Sequence, residues 1–179
     1  LLSMIYEPLF RFNFLAGEGA WENVLATGIA SVKPTKGRSA FAVELRQGVE
    51  WHDGKPFTAA DVISTYFDYL RNLAANARQR QFYTSLLADV RRGATPTQVI
   101  FEFNRPVQDA REFLNEFIIP ESRAPVPRVA AADSLDLNRN PVGTGPYRYQ
   151  SSGSGNVTLV VNDRYHSTRG TIGKVRTRT

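Results

Sequence analysis

Between Leu45 and Val62 the chain reads LRQGVEWHDGKPFTAADV, and no other stretch is so tightly specified by its own local chemistry. Phe41, Val43 and Leu45 alternate on the approach, which predicts a strand over residues 39–46 with one apolar face. Asp53-Gly54 followed by Lys55-Pro56 is a turn, because Gly tolerates positive φ and Pro cannot continue a hydrogen-bonded ladder. Thr58 then stands at an N-cap, and Asp61 three residues on completes a Thr-x-x-Asp capping box. Phe57 and Val62 flank that cap as a hydrophobic staple. A strand, a tight turn and a capped helix in immediate succession commit the chain to a mixed α/β (α+β) fold.

The helix opening at Thr58 is predicted to reach about Leu73, since Val62, Tyr66, Tyr69, Leu70 and Leu73 recur at helical spacing. A break over residues 72–76 precedes a second helix, residues 77–88, which carries Arg78, Arg80, Phe82 and Tyr83 near its start. After a turn at residues 93–96, Val99, Phe101 and Phe103 alternate on a strand over residues 97–103. Asp109 and Glu112 predict a third helix over residues 109–117. Three prolines in residues 118–127 predict an extended segment, and Ile118 and Ile119 are too apolar for a loop tip, so it reads as a domain crossover. Two strands, residues 147–150 and 156–162, form a hairpin about a Ser/Gly turn, and a last strand lies near residues 172–176. Upstream, residues 1–14 predict a short helix broken at Tyr6-Glu7-Pro8-Leu9, with turns at residues 16–20 and 33–37.

Composition narrows the function. The 179 residues are 42% apolar, enough to bury a core, and no apolar run approaches the roughly 18 residues of a membrane helix. No basic-then-apolar leader opens the chain, whose first residues already read as core; a native leader and a first segment are expected to lie outside it. Absence of cysteine excludes disulfides, thiolate catalysis and Cys-ligated metals. The net charge of +5 rests on 22 basic residues, 18 of them Arg, which admits a nucleic-acid- or partner-binding module. The arginines are scattered, however, with no block of five or six like charges, and read as solvated surface.

His52 and Asp53, with Asp61, are the residues a small hydrolase or metal enzyme would use. Adjacent side chains diverge, and Asp in such a turn serves its own backbone, so a structural turn is the expectation. Gly143-Thr144-Gly145 resembles a phosphate loop, but such loops open a helix, and here Pro146 and an alternating strand follow. No Gly-x-Ser-x-Gly elbow and no Lys-bearing Walker sequence occurs. No catalytic residue, metal ligand or cofactor is assigned. The Arg78/Arg80/Phe82/Tyr83 cluster can grip a carboxylate and stack on a planar group, or can simply be a solvated helix start.

Three segments together carry a resemblance: Tyr6-Glu7-Pro8-Leu9, the stretch from Leu45 to Val62, and Asn140-Pro141-Val142-Gly143-Thr144-Gly145-Pro146-Tyr147. In this order and spacing the chain resembles the family 5 extracellular solute-binding proteins of ABC importers, the dipeptide, oligopeptide and nickel-binding group. The resemblance implies part of a class II periplasmic-binding-protein-like fold and a non-enzymatic receptor, periplasmic or lipid-anchored, that hands peptides or similar solutes to a membrane permease. It further implies that residues 6–117 are the inserted N-terminal domain, that residues 1–5 and 118–179 belong to the first main lobe, and that the second main lobe is absent. A cleft between two lobes would then be incomplete, and the uncovered strand edges would favour self-association. The ligand-facing positions it implies are Arg80 and Tyr83 after the long helix, and Glu121 and Ser122 beyond the crossover proline. Nickel binders carry an Arg where Glu121 stands, a departure that favours a ligand with a positive end, such as a peptide amine.

Overall fold

The capped turn folds as its residues dictate in the computed structural model, which describes residues 2–15, 20–34, 37–73, 76–123, 140–153, 155–168 and 172–178. Gly54 takes φ 85°, Thr58 accepts from the Ala60 N–H, and Asp61 Oδ2 accepts from the Thr58 N–H at 2.8 Å, closing the predicted box. Phe57 and Val62 both enter the core, where the Trp51 indole donates to Asp61 Oδ2 at 3.3 Å.

Strand β4 (Ser39–Leu45) leads into this turn, and helix α2 (Ala59–Ile63) leaves it. Around β4 lies a four-stranded antiparallel sheet with β3 (Ala26–Val32), β5 (Leu87–Arg92) and β6 (Gln98–Phe103), in the order β3-β4-β6-β5. Phe41 pairs with Phe101 and Val43 with Val99, so the alternating apolar sets of both strands coincide on the covered face. The layer covering that face is α2, a π-helix (Ser64–Leu73) continuing it, and α3 (Ala77–Leu86). A short helix α1 (Leu2–Ile5) and a hairpin of β1 (Phe10–Asn13) and β2 (Ala20–Asn23) precede the sheet. A three-stranded sheet, β7 (Tyr147–Gly153), β8 (Asn156–Val161) and β9 (Lys174–Arg178), follows it.

Several expectations change. Residues 10–13, left within the broken N-terminal segment, form β1. The helix from Thr58 is α-helical to Ile63 and continues as a π-helix to Leu73, with the Thr65 hydroxyl donating to the Asp61 carbonyl at 2.8 Å. The second helix stops at Leu86, two residues early, and Leu87 begins β5, whose bulge between Leu87 and Asp89 had hidden the strand's alternation. The third helix is one 3₁₀ turn, Ala110–Phe113, capped by Asp109, while Glu112 is exposed. It stops because the following backbone pairs with the N-terminal segment: Phe10 N–H donates to Leu114 O and Ile118 N–H to Glu7 O. The crossover is a 3₁₀ turn at Glu121–Arg123, and the last strand runs two residues later than expected. Residues 16–19, 35–36, 74–75 and 124–139, on which parts of the turn, break and crossover expectations fall, lie outside the described residues.

Among the described residues two apolar cores result. The larger runs from Leu9 to Ile118 with Val142, and includes Phe41, Trp51, Tyr66, Phe101 and Phe103. The smaller consists of Ile5, Tyr6, Ile119, Tyr147 and Leu159. Ile118 and Ile119 are both buried, one in each core, as their apolarity required.

Candidate functional site

Glu7 is wholly buried, which a carboxylate tolerates only when its oxygens are satisfied. Thr144 Oγ1 donates to its Oε2 at 3.0 Å, Tyr165 OH to its Oε1 at 2.7 Å, and His166 Nε2 lies 2.8 Å from Oε2. Burial, reinforced by the Glu7 carboxylate, pushes the Tyr165 phenol well up, so it remains a donor. His52 lies alongside. Its main-chain N–H donates to Gly143 O, its Nδ1 accepts from Gly143 N–H at 3.2 Å, and its Nε2 donates to Gly145 O at 3.0 Å. Burial lowers the His52 pKa, a shift the Gly145 carbonyl partly opposes.

The two glycines are required by close approach. A Cβ on Gly143 would lie 1.8 Å from Ile5 O, and one on Gly145 2.5 Å from Met4 O. The three sequence motifs therefore meet at one place and tie α1, the capped turn and the entrance to β7 together. Both ring nitrogens of His52 are committed to main chain, so it has no lone pair left for a hydrolytic base. Tyr165 and His166 escaped sequence reasoning, because nothing in the turn after β8 marks them as partners of a residue more than 150 positions away.

The predicted ligand-facing residues fall in two groups. On α3, Arg80 is exposed, whereas Tyr83 is buried, its ring edge-on to Tyr66 and its OH donating to Glu116 Oε1 at 2.9 Å. Burial, with the Tyr66 and Glu116 neighbours, pushes the Tyr83 phenol far above its ordinary range. Glu121 and Ser122 are exposed at the start of the crossover turn: Glu121 N–H donates to Asp61 Oδ1 at 2.8 Å, and Lys55 Nζ reaches Ser122 Oγ at 3.5 Å. Tyr83 thus has an acidic partner, Glu116. A separate cleft of about 550 Å³ opens where β4 ends, walled by Glu44, Gln47, Phe57, Thr58, Pro96 and Thr97; none of the four predicted residues lines it. Among the described residues no three His, Asp or Glu side chains group as metal ligands, and no helix is long and apolar enough to cross a membrane.

Comparison with known proteins places this geometry. The family model described as bacterial extracellular solute-binding proteins, family 5 (middle), matches residues 22–179. An ABC transporter peptide-binding protein named as putative in Brucella ovis is 25% identical over 175 residues, covering 95% of this chain and 31% of its own. The oligopeptide-binding protein AppA of Bacillus subtilis is 27% identical over 164 residues, 88% of this chain and 29% of its own. The AppA structure, in complex with a nonapeptide, superposes with TM-score 0.73 at 25% identity, covering 98% of this chain and 34% of its own. NikZ of Campylobacter jejuni, in complex with Ni(L-His), shares the fold at TM-score 0.77 and 20% identity, covering 99% of this chain and 34% of its own. The chain spans about a third of the length of the curated relatives it matches.

Proposed function

Because the chain belongs to family 5 of the bacterial extracellular solute-binding proteins, we propose that it is part of the substrate-capturing component of an ABC importer, non-catalytic and serving peptides or similar small solutes. The observation that carries this reading is the match across residues 22–179, within which the capped turn and the Gly143–Gly145 loop lock to one another. Peptide as the solute class is supported by relatives named as peptide-binding in Brucella and Bacillus. Delivery to a membrane permease, and a periplasmic or lipid-anchored setting, belong to the same reading.

In this reading residues 6–117 are the inserted domain and residues 1–5 and 118–179 part of the first main lobe; the two cores follow that division apart from Ile118 and Val142, which pack in the larger, and Tyr6, which packs in the smaller. Arg80, Tyr83, Glu121 and Ser122 are the ligand-facing set in this proposal. Self-association of the isolated chain is supported by Leu2, Phe14, Leu15 and Ile172, all more than half exposed; a monomer in light scattering at high concentration removes that part.

The test of the main reading is a thermal-shift panel of short peptides, sugars and metal chelates on the protein expressed from its complete gene. A captured peptide raises the melting temperature through mass action, by an amount that grows with its concentration. A panel in which sugars or chelates shift the transition and peptides do not would replace the peptide assignment.

A further inference from the structure

The cleft where β4 ends has walls that are held in place. They come from three segments: residues 46–48 after β4, residues 57–59 at the entry to α2, and residues 95–97 before β6. Gln47 is exposed; the other polar walls are fixed by bonds of their own. Thr58 is locked in the capping box. The Thr97 carbonyl accepts from the Leu45 N–H at 2.8 Å, and its hydroxyl lies 3.4 Å from that of Thr95. Arg46 Nε donates to Val24 O at 2.8 Å. Glu44 Oε1 accepts from the Gln98 amide, whose own oxygen accepts from the Ala94 N–H at 3.0 Å. Gly93 leaves the room this requires, since a Cβ there would collide with the Gln98 side chain. Phe57 supplies apolar wall and is itself packed edge-on to Trp51, ring centroids 6.1 Å apart.

We propose that this cleft is a second binding site, for a neutral saccharide the size of a disaccharide. The chemistry of the walls selects that class. The Glu44 carboxylate only accepts hydrogen bonds, the Arg46 guanidinium only donates, and the side chains of Gln47, Thr58 and Thr97 do both. A simple cation would use the acceptors alone, and a simple anion the donors alone. A sugar hydroxyl donates and accepts at once, so a row of hydroxyls engages the whole set. Glu44 and Arg46 are the charged residues of the lining, and their opposite signs leave the cleft without net charge. The C–H faces of a sugar ring meet Phe57 and Pro96, and the volume of about 550 Å³ is that of a small-ligand site. Walls already fixed in place lose little freedom on binding. The inference goes beyond the receptor reading: none of Arg80, Tyr83, Glu121 and Ser122 lines this cleft.

The test is an NMR titration of the 179-residue chain, which reads weak affinities, with maltose, cellobiose and lactose, and with N-acetylglycine methylamide as a peptide-like probe. The result expected is saturable shifts of the Glu44, Gln47, Thr58 and Thr97 backbone amides with at least one disaccharide, and none there with the amide probe. Glu44→Gln, which keeps an oxygen for Gln98 and removes the charge, should weaken that binding about tenfold. Gln47→Ala, in an exposed turn, should weaken it about threefold and serves where the first variant disturbs the sheet. Spectral dispersion equal to wild type shows that each variant is folded. No shift with any of the disaccharides, equal shifts with the amide probe, or binding unchanged in both variants overturns the inference. So do shifts that appear at Arg80 and Glu121 and not in the cleft, which would assign the sugar to the ligand-facing set. The receptor reading is decided separately, by the thermal-shift panel on the complete protein.

Discussion

The Gly143 N–H can only donate and the Gly145 carbonyl can only accept, so the contacts at 3.2 and 3.0 Å fix the His52 ring as neutral, with its proton on Nε2. Protonating Nδ1 would remove the acceptor for Gly143, in keeping with a pKa that burial lowers below the ordinary value. A histidine whose folded pKa lies below its unfolded one contributes stability fully above the unfolded value, about 6.5, and loses it as pH falls through the folded value. The urea midpoint should therefore be level from about pH 8 to 7 and decline below about 6.5. His52→Gln should flatten that decline. Asp109, held low by Arg111, titrates beneath the ordinary carboxylate range and does not obscure the window. Gly143 also makes a second, separate close approach, to the Ile5 backbone. Gly143→Ala should cost about 3 kcal/mol or more, because the methyl meets backbone rather than a yielding side chain. Gly153→Ala, which meets open space, should change stability little.

Among elements, the helix after the capped turn depends on one hydroxyl. Thr65 Oγ1 donates to Asp61 O and accepts from the Ile119 N–H at 3.0 Å, so it ties the helix to the crossover. Thr65→Val preserves shape but leaves a buried N–H without an acceptor, a loss of about 1–3 kcal/mol. Thr65→Ser keeps the bond and loses one methyl, about 0.8 kcal/mol. Chemical denaturation should rank wild type above Ser above Val; a Val variant as stable as wild type would show that the anchor is dispensable. The same helix marks how far sequence reading carries. Its cap and its buried Val62, Tyr66 and Leu70 were legible because spacing and capping are local. Its π-helical continuation was not, since the apolar spacing reads the same for either helix, and the anchor of Thr65 on Ile119 is 54 positions away. β5 was misread for a related reason: a bulge places its two buried residues, Leu87 and Val90, three apart, which is helical spacing.

For the whole molecule, the tie between the two cores decides how it unfolds. Glu7, near the start of the chain, is hydrogen-bonded to Thr144, Tyr165 and His166, residues more than 130 positions later. The sequence exposed the motifs that meet there but not the meeting itself, because each partner is remote and chemically ordinary. Similarly, Tyr83 was legible as a candidate, whereas Glu116, its acidic partner, is 33 residues further on and carries no motif. Glu7→Ala leaves the buried Thr144 and His166 side chains and the half-buried Tyr165 without their carboxylate partner, a loss of about 3–5 kcal/mol for a broken buried pair. That loss should fall unevenly. Leu159 and Tyr147 lie in the smaller core, and Val43, Val99 and Phe101 in the larger. Native-state hydrogen exchange should show β8 amides losing on the order of 100-fold protection in Glu7→Ala while β4 and β6 amides lose much less. Glu7→Gln, which keeps an acceptor and drops the charge, should fall between. A uniform loss across both sheets would mean that the cores unfold as one unit whatever Glu7 contributes, and that the link between them is carried by the apolar contact of Ile118 and Ile119.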